Sequence, residues 1–427
     1  MASSTAERLR KGFWLNAALL FLAMRSADAL NAVTGLWLVP RGLDEGALGA
    51  VLPLTAFGAA LAVPAGVLST VFSRTLCRAA VNGDFAVVRG LLRDALGASL
   101  LFLGLALGLS AAAMPWLCRI LRTPHAPAGY LAVGSGLLAA FVPLVLSALQ
   151  ALGKFGALSA ASLLAAPARF AAMALLLPLA GLSGYFLGQT APLAVQLAVA
   201  LAVLWPLLRG NASRAWRAEA PEMARYGLRA GVGALAGAAQ GMAAAFAIRH
   251  ALPEADSAGY YVLSRFAEIA TYCGGTLGAV LFPYAVAASE RGEDSARLRN
   301  GVFFAMLGGG ALLALLFLAL LPPLFRLLPG CAPYAPAAPL GAYLTLAVTL
   351  NAACAAHFAH ANARGDFRYL KYVVPLALGG SALYLSLPCR TLAGMLHLLF
   401  LTAAAQTLCV AADMARARRQ RGRDCQA

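Results

Sequence analysis

The run at residues 170–208 decides the fold class. It reads FAAMALLLPLAGLSGYFLGQTAPLAVQLAVALAVLWPLL and contains no charged residue. A helix needs about 20 mostly apolar residues to cross the hydrocarbon core of a bilayer, and this run is clearly longer than that. The segment Gly181-Leu182-Ser183-Gly184 interrupts it with residues that favour a break in a helix. The sequence therefore predicts two membrane-crossing helices here, one before and one after these glycines.

The composition of the whole chain extends this prediction. Of the 427 residues, 61% are hydrophobic and only 12% are charged, whereas soluble domains carry about 25% charged residues. No soluble protein of this length could bury so much apolar surface in one core. The composition excludes a soluble enzyme, a nucleic-acid-binding protein and a disordered chain. It predicts an all-α integral membrane protein.

Further apolar runs predict about 12 transmembrane helices in total. An even number of crossings puts both ends of the chain on the same side of the membrane. The predicted spans are 12–38, 47–72, 95–117, 129–150, 155–180, 184–208, 228–250, 259–288, 301–322, 339–361, 370–387 and 392–413.

Membrane orientation explains the net charge of +16, which comes from 33 Lys and Arg against 17 Asp and Glu. The basic residues gather at both ends and in alternate loops, as they do on the cytoplasmic side of membrane proteins. We therefore expect a cytoplasmic N-terminus at 1–11, an amphipathic cytoplasmic linker at 209–227 and a basic cytoplasmic tail at 414–427. The predicted location is a bacterial inner (plasma) membrane, crossed many times, with both termini cytoplasmic.

The two halves of the chain resemble each other at an offset of about 210 residues. Ala151-Leu152-Gly153-Lys154-Phe155 follows the fourth span, and Ala363-Arg364-Gly365-Asp366-Phe367 follows the tenth. Arg119-Ile120-Leu121 and Arg326-Leu327-Leu328 match after the third and ninth. The alternative is a chance match in a biased composition. As a parallel repeat, the pattern predicts an N-lobe at 12–208 and a C-lobe at 228–413, with six helices each.

Three stretches of the second half carry a family resemblance. They are Ala258-Gly259-Tyr260-Tyr261-Val262-Leu263-Ser264-Arg265, Leu281-Phe282-Pro283-Tyr284 and Pro322-Pro323-Leu324-Phe325-Arg326. With them the chain resembles the multidrug/oligosaccharidyl-lipid/polysaccharide (MOP) exporter superfamily, closest to the polysaccharide and O-antigen flippase-like family. The resemblance implies two six-helix lobes, as in MATE transporters and flippases, around a cavity that opens alternately to each side. The drug exporters of this superfamily usually carry an Asp near the position of Thr34, which this chain lacks.

Two charged pairs lie within predicted spans, Arg25 with Asp28 and Arg265 with Glu268. Residues three apart share a helix face, and an arginine at the bilayer centre costs about 2.5–3.5 kcal/mol on insertion scales. Either the pairs only neutralise each other, or the arginines hold an anionic headgroup while the carboxylates serve as counter-ions or proton sites. Arginine suits pyrophosphate because its planar fork donates parallel hydrogen bonds. The resemblance implies the second role, since lipid-linked flippases place basic residues on spans one and eight.

The sequence gives less support for a functional role of the other polar residues within the spans. Arg169 follows Pro167 in an apolar helix, and it is either a structural arginine or a secondary cargo contact. His357 and His360 share a face near the end of span ten, and we expect them at the membrane interface, with proton coupling as the alternative. Asn31 is expected to be an interhelical hydrogen-bond partner.

The function predicted from the sequence is alternating-access transport of a polyprenyl-pyrophosphate-linked oligosaccharide, a precursor of cell-envelope polysaccharide. The alternatives are a cation-coupled multidrug exporter of the MATE type and a non-transporting scaffold in glycan synthesis. The sequence contains no Gly-rich loop ending in Lys-Ser/Thr, so we expect no nucleotide, no cofactor and no enzymatic activity. No cysteine or histidine spacing indicates a metal site. The expected partners are the lipid-linked glycan, membrane lipids and a coupling H⁺ or Na⁺.

Overall fold

In the computed structural model, the residues described are 22–81, 83–120, 126–152, 154–290, 295–387 and 391–424, and all of their regular structure is helical. The predictions for the tail 1–11 and for the first part of span one lie outside these residues. The helices are α1 (22–42), α2 (Glu45–Val81), α3 (Phe85–Ile120), α4 (Ala126–Ala151), α5 (Phe155–Leu208), α6 (Ala220–Ala251), α7 (Glu254–Glu290), α8 (Ala296–Leu327), α9 (Ala338–Ala363), α10 (Leu370–Ser386) and α11 (Leu392–Asp424).

Helix α5 contains the break that the sequence predicts. Gly181 has φ 53° and ψ −126°, a conformation that L side chains rarely adopt, and the helix resumes at once beyond it. A Cβ atom on Gly184 would lie only 2.0 Å from the carbonyl oxygen of Leu176, so glycine is required there as well. Counting α5 as two, the described chain has roughly 11–12 helices, and the all-α membrane fold is confirmed.

Within the described part, eight helices are long and apolar enough to cross a membrane, and α10 is a shorter apolar helix. The helices extend beyond several predicted ends. Helix α2 continues to Val81 and α3 begins at Phe85, with Gly83 in a left-handed conformation between them (φ 74°). The helices are longer than the predicted spans because hydropathy marks only the part of a helix that suits lipid, whereas charged residues can continue the same helix into water.

The segment 209–227, predicted to be an amphipathic linker, is largely helical. A 3₁₀ turn spans Ala215–Glu219, and α6 begins directly after it. Two arginines of α3 hold the preceding segment. Arg93 donates to the backbone carbonyls of Leu208 and Gly210, and Arg89 donates to that of Asn211 at 2.8 Å. These bonds satisfy carbonyls at the end of α5 that have no partner within the helix.

The chain divides into two compact units. The first contains the described residues up to Ala47 and Leu54–Gly231, and the second contains Leu48–Pro53 and the residues from Val232 onward. In the first unit, apolar side chains of α2, α3, α4 and α5 form a core that excludes solvent. Among its most buried members are Leu76, Leu91, Leu92, Val145, Leu149, Ala200 and Leu204.

The second unit is built around α9, which packs against α7, α8 and α11. Aromatic rings join α7 to α8, because Phe266 stacks on Phe325 with ring centroids 5.3 Å apart. The edge of Phe317 approaches the same ring of Phe266 at 6.0 Å. A second buried cluster includes Phe303, Ala353, Cys354 and Val410.

Candidate functional site

An open cavity of about 600 Å³ lies within the first unit, between α1, α2, α4 and α5. Alanine, glycine and other small residues form most of its wall, which is why the helices leave space there. The polar residues that line it are Asp28, Asn31, Thr55, Ser135, Ser162, Arg169, Gln189 and Gln196. A cavity of this size is within the usual range for ligand sites, about 300–1,000 Å³.

Arg169 reaches across from α5 to α1. Its Nη1 atom donates a hydrogen bond of 3.1 Å to the side-chain oxygen of Asn31. The Nε atom is buried and has no hydrogen-bond partner among the described residues. The prediction that Asn31 bonds between helices is confirmed by this contact. The sequence left Arg169 either structural or cargo-facing, and the structure places it both in a hydrogen bond and on the cavity wall.

Arg25 and Asp28 form an ion pair within α1, with 3.1 Å between Nη2 and Oδ2. The two side chains are 27% and 25% exposed. Asp28 lines the cavity, so its negative charge there already has a counter-ion on the same helix.

The second predicted pair lies in the second unit and has the same form. The Nη2 atom of Arg265 lies 2.5 Å from the Oε1 atom of Glu268 within α7. The Arg265 guanidinium also lies over the ring of Tyr261, 5.1 Å from the ring centroid. The sequence left open whether the pairs form within one helix. In the structure, both pairs join residues three apart on a single helix.

His357 and His360 are both buried within the second unit, with 3% and 2% of their surface exposed. His360 Nε2 lies 2.8 Å from the hydroxyl of Ser295, before α8. His357 Nε2 lies 3.8 Å from a carboxylate oxygen of Asp413 on α11. Helices α8 and α11 pack over this face of α9 and cover it, and the position of the two histidines at the membrane interface stays a prediction.

Sequence reasoning missed the two glutamines of the cavity. Gln189 and Gln196 line it from the second part of α5, and Gln189 donates through Nε2 to the hydroxyl of Tyr185 at 2.8 Å. A signal was present, because the two residues are two helical turns apart and share one face of an otherwise apolar helix.

Gln240, on α6, is the centre of a hydrogen-bonded group in the second unit. It donates to the hydroxyl of Tyr384 at 3.5 Å and accepts from Gln406 at 3.3 Å. Tyr384 also bonds Thr402. The group ties α6, α10 and α11 together, an interhelical role that polar side chains often have in membranes.

None of the protein-family models matches the sequence, and no curated protein matches it. Solved structures do match. An inward-facing multidrug resistance MATE family transporter of the MOP superfamily superposes with a TM-score of 0.68 at 14% identity, over 93% of this chain and 95% of that chain. A mutant of the Vibrio cholerae MATE transporter VcmN gives a TM-score of 0.69 at 16% identity, over 98% of each chain.

A MOP superfamily transporter from Pyrococcus furiosus also matches, with a TM-score of 0.61 at 13% identity over 94% of each chain. That protein is described as having a binding pocket of reverse polarity, which suggests a different function for it. This chain has the fold of the MATE transporters. It is therefore a multi-pass membrane protein. At 13–16% identity the similarity shows the fold of this chain but not its cargo.

Proposed function

We propose that the protein is an alternating-access transporter that flips a polyprenyl-pyrophosphate-linked oligosaccharide across the bacterial inner membrane. The observation that carries this proposal is the open cavity of the first unit, which presents Arg169 and neutral polar side chains among membrane helices. Polar and charged groups within a membrane helix bundle are costly, so they are kept where a cargo or an ion uses them. Such a cavity lets a hydrophilic headgroup leave water without entering lipid.

The size and lining of the cavity suit the polar end of such a cargo. A pyrophosphate and the first sugars fit a space of about 600 Å³, while the polyprenyl chain stays in the surrounding lipid. Gln189 and Gln196 offer amide groups, and amides can both donate to and accept from sugar hydroxyls. Ser135 and Ser162 donate to carbonyls of their own helices, which leaves their oxygen lone pairs as acceptors.

In the proposed cycle, the two charged pairs serve as additional headgroup contacts. Asp28 and Glu268 are the counter-ions that hold Arg25 and Arg265 when no headgroup is bound. A carboxylate that takes up a proton releases its arginine for the cargo, which couples transport to an H⁺ gradient. Both termini are cytoplasmic in this proposal, so that the basic linker and tail face the anionic leaflet.

A cation-coupled multidrug exporter of the MATE type is the second candidate, and it fits the structural neighbours equally well. Two of them are MATE transporters, one of which is described as a multidrug resistance protein. The Pyrococcus furiosus neighbour carries a pocket of reverse polarity on the same fold. The fold therefore accepts pockets of both polarities, and the charge of the cavity is the property that separates the two candidates.

The experiment that tests the proposal is mass spectrometry of lipids that co-purify with the protein in mild detergent. Wild type is compared with Arg169→Gln and with Arg119→Gln, an exposed arginine outside the cavity. We expect a polyprenyl-pyrophosphate glycan enriched on wild type and on Arg119→Gln, and depleted on Arg169→Gln. Bulk phospholipid alone, in equal amounts on all three proteins, would contradict the flippase and favour the drug exporter.

A complementation assay in cells, with other variants, separates transport from a scaffolding role. A scaffold in glycan synthesis would keep its function in cells when Arg25→Ala and Arg265→Ala are combined, and would lose it when the cytoplasmic loops are altered. A flippase shows the reverse pattern. Complementation of a polysaccharide-deficient strain is the measurement.

A further inference from the structure

Arg169 differs from most of the arginines that contact side chains in the described part of the chain, although Arg299 likewise bonds the neutral amide of Asn300. Most of those contact a carboxylate: Arg25 contacts Asp28, Arg217 contacts Asp94, Arg249 contacts Glu254, Arg265 contacts Glu268 and Arg368 contacts Asp366. Arg169 contacts the neutral amide of Asn31 and no carboxylate of the described residues. Asp28 lies on the same cavity wall but forms its ion pair with Arg25, so no carboxylate of the described residues contacts the positive charge of Arg169.

This arrangement has an energetic cost that a structural role does not explain. An arginine in a membrane-embedded helix is costly, and a carboxylate partner would reduce that cost. The amide of Asn31 orients the guanidinium group but supplies no negative charge. A negatively charged cargo group supplies the missing charge when it enters the cavity.

The orientation of Arg169 suits such a cargo. Asn31 takes one hydrogen of Nη1 and so fixes the guanidinium plane against α1. The Nη2 atom makes no hydrogen bond to the described residues, and the side chain lines the cavity. A guanidinium group held in this way offers charge-assisted donors to a phosphate oxygen, which are roughly twice as strong as neutral hydrogen bonds.

The rest of the lining lacks what an organic cation requires. Phe186 is the one aromatic residue on the described cavity wall, and it is 1% exposed, with its edge against Tyr185. No aromatic face is therefore offered for cation–π contact. The one acidic residue of this wall is Asp28, and Arg25 already neutralises it.

We propose that Arg169 is the primary anion-binding residue of the first unit, oriented by Asn31, and that it binds a phosphate or diphosphate group. This inference rests on the proposed function and specifies the class of its cargo. The shared chemistry is a phosphate ester, whether its source is a lipid-linked headgroup or a soluble phosphate compound.

Equilibrium binding to the full-length protein in phosphatidylcholine nanodiscs tests the assignment. The probes are radiolabelled farnesyl diphosphate, farnesol, which has the same tail without charge, and inorganic pyrophosphate, which has the charge without the tail. Empty nanodiscs give the background. We expect wild type to bind farnesyl diphosphate more tightly than farnesol. If pyrophosphate alone binds as tightly as farnesyl diphosphate, the source is a soluble phosphate compound, and the assignment of Arg169 stands.

The variants make the test specific. Arg169→Gln should raise the Kd for farnesyl diphosphate by roughly tenfold or more, as the loss of a charged hydrogen bond requires. Arg169→Lys should keep part of the affinity, and Arg119→Gln should stay within about twofold of wild type, as expected for a remote surface charge. Asn31→Asp keeps Arg169 but gives it a carboxylate partner, so this variant should also weaken diphosphate binding. It therefore tests the assignment independently if Arg169→Gln folds poorly.

The outcomes separate this inference from the proposed function. Unchanged affinity for farnesyl diphosphate in both Arg169→Gln and Asn31→Asp overturns the assignment of Arg169, whatever the protein transports. Equal affinity of wild type for farnesol and farnesyl diphosphate overturns it as well. A protein that binds diphosphate through Arg169 but does not co-purify with a lipid-linked glycan retains this inference and loses the proposed function.

Discussion

Gly58 of α2 and Gly136 of α4 contact each other directly through their backbones beside the cavity. A Cβ atom on Gly136 would lie 2.6 Å from the carbonyl carbon and oxygen of Gly58, and one on Gly58 would lie 2.7 Å from the carbonyl oxygen of Ala132. Close approach of this kind, through small residues, is a common way to pack membrane helices. Here it fixes two of the helices whose residues line the cavity.

Replacing Gly136 with valine should therefore destabilise the first unit. The added side chain meets backbone atoms that cannot rotate away, and overpacking of this type costs about 1–3 kcal/mol. Thermal unfolding in detergent measures the effect. Gly134→Ala is the matched control, because a Cβ atom at Gly134 meets nothing within 4 Å. A Gly136→Val protein as stable as the Gly134→Ala protein would contradict the contact.

The ion pair of Arg265 and Glu268 predicts non-additive effects on stability. Arg265→Gln or Glu268→Gln alone removes one charge of the pair and keeps the other in a half-buried position, whereas the double variant removes both. We expect the double variant to be more stable than the less stable of the two single variants, since removing one partner of a buried pair costs more than removing both. Unfolding measurements on the four proteins of this cycle give the coupling. Strict additivity would show that the two side chains do not interact.

The contact between His360 and Ser295 predicts that the end of α9 depends on a hydroxyl group. Ser295→Ala removes a partner 2.8 Å from a buried imidazole, and the lost partner should cost about 1–3 kcal/mol. Ser381→Ala is the control, because Ser381 bonds only a carbonyl of its own helix, that of Ala377. Equal unfolding temperatures for the two variants would show that the His360 contact contributes nothing to stability.

The arginines of α3 predict that the segment after α5 is protected from proteolysis. Arg93 bonds the carbonyls of Leu208 and Gly210, and Arg89 bonds that of Asn211, so the segment is held against α3. The double variant Arg89→Gln/Arg93→Gln should therefore be cleaved faster by trypsin after the exposed Arg209 and Arg214. Mass spectrometry of timed digests locates the cuts. Cleavage at the wild-type rate would mean that these bonds do not hold the segment.

Much of the fold could be predicted from the sequence because the relevant free energies are local. Transfer of an apolar helix into lipid depends on the residues within that helix, so hydropathy alone found the helices. The break at Gly181 was also readable, because glycine adopts φ 53° and other residues rarely do. The three-residue spacing of Arg25 with Asp28 and of Arg265 with Glu268 placed each pair on one helix face, and the structure then showed that both pairs form within their own helix.

What the sequence by itself determined is therefore the membrane helices and the contacts within each of them. Only the tertiary structure decided which helices meet. It brought Asn31 against Arg169, 138 residues apart, and Ser295 against His360, 65 residues apart. It also placed Gln189 and Gln196 on the wall of the same cavity as Asp28. All apolar helix faces have similar hydropathy, so hydropathy does not predict which helix packs against each face. That choice is made by shape, at contacts such as the one between Gly58 and Gly136.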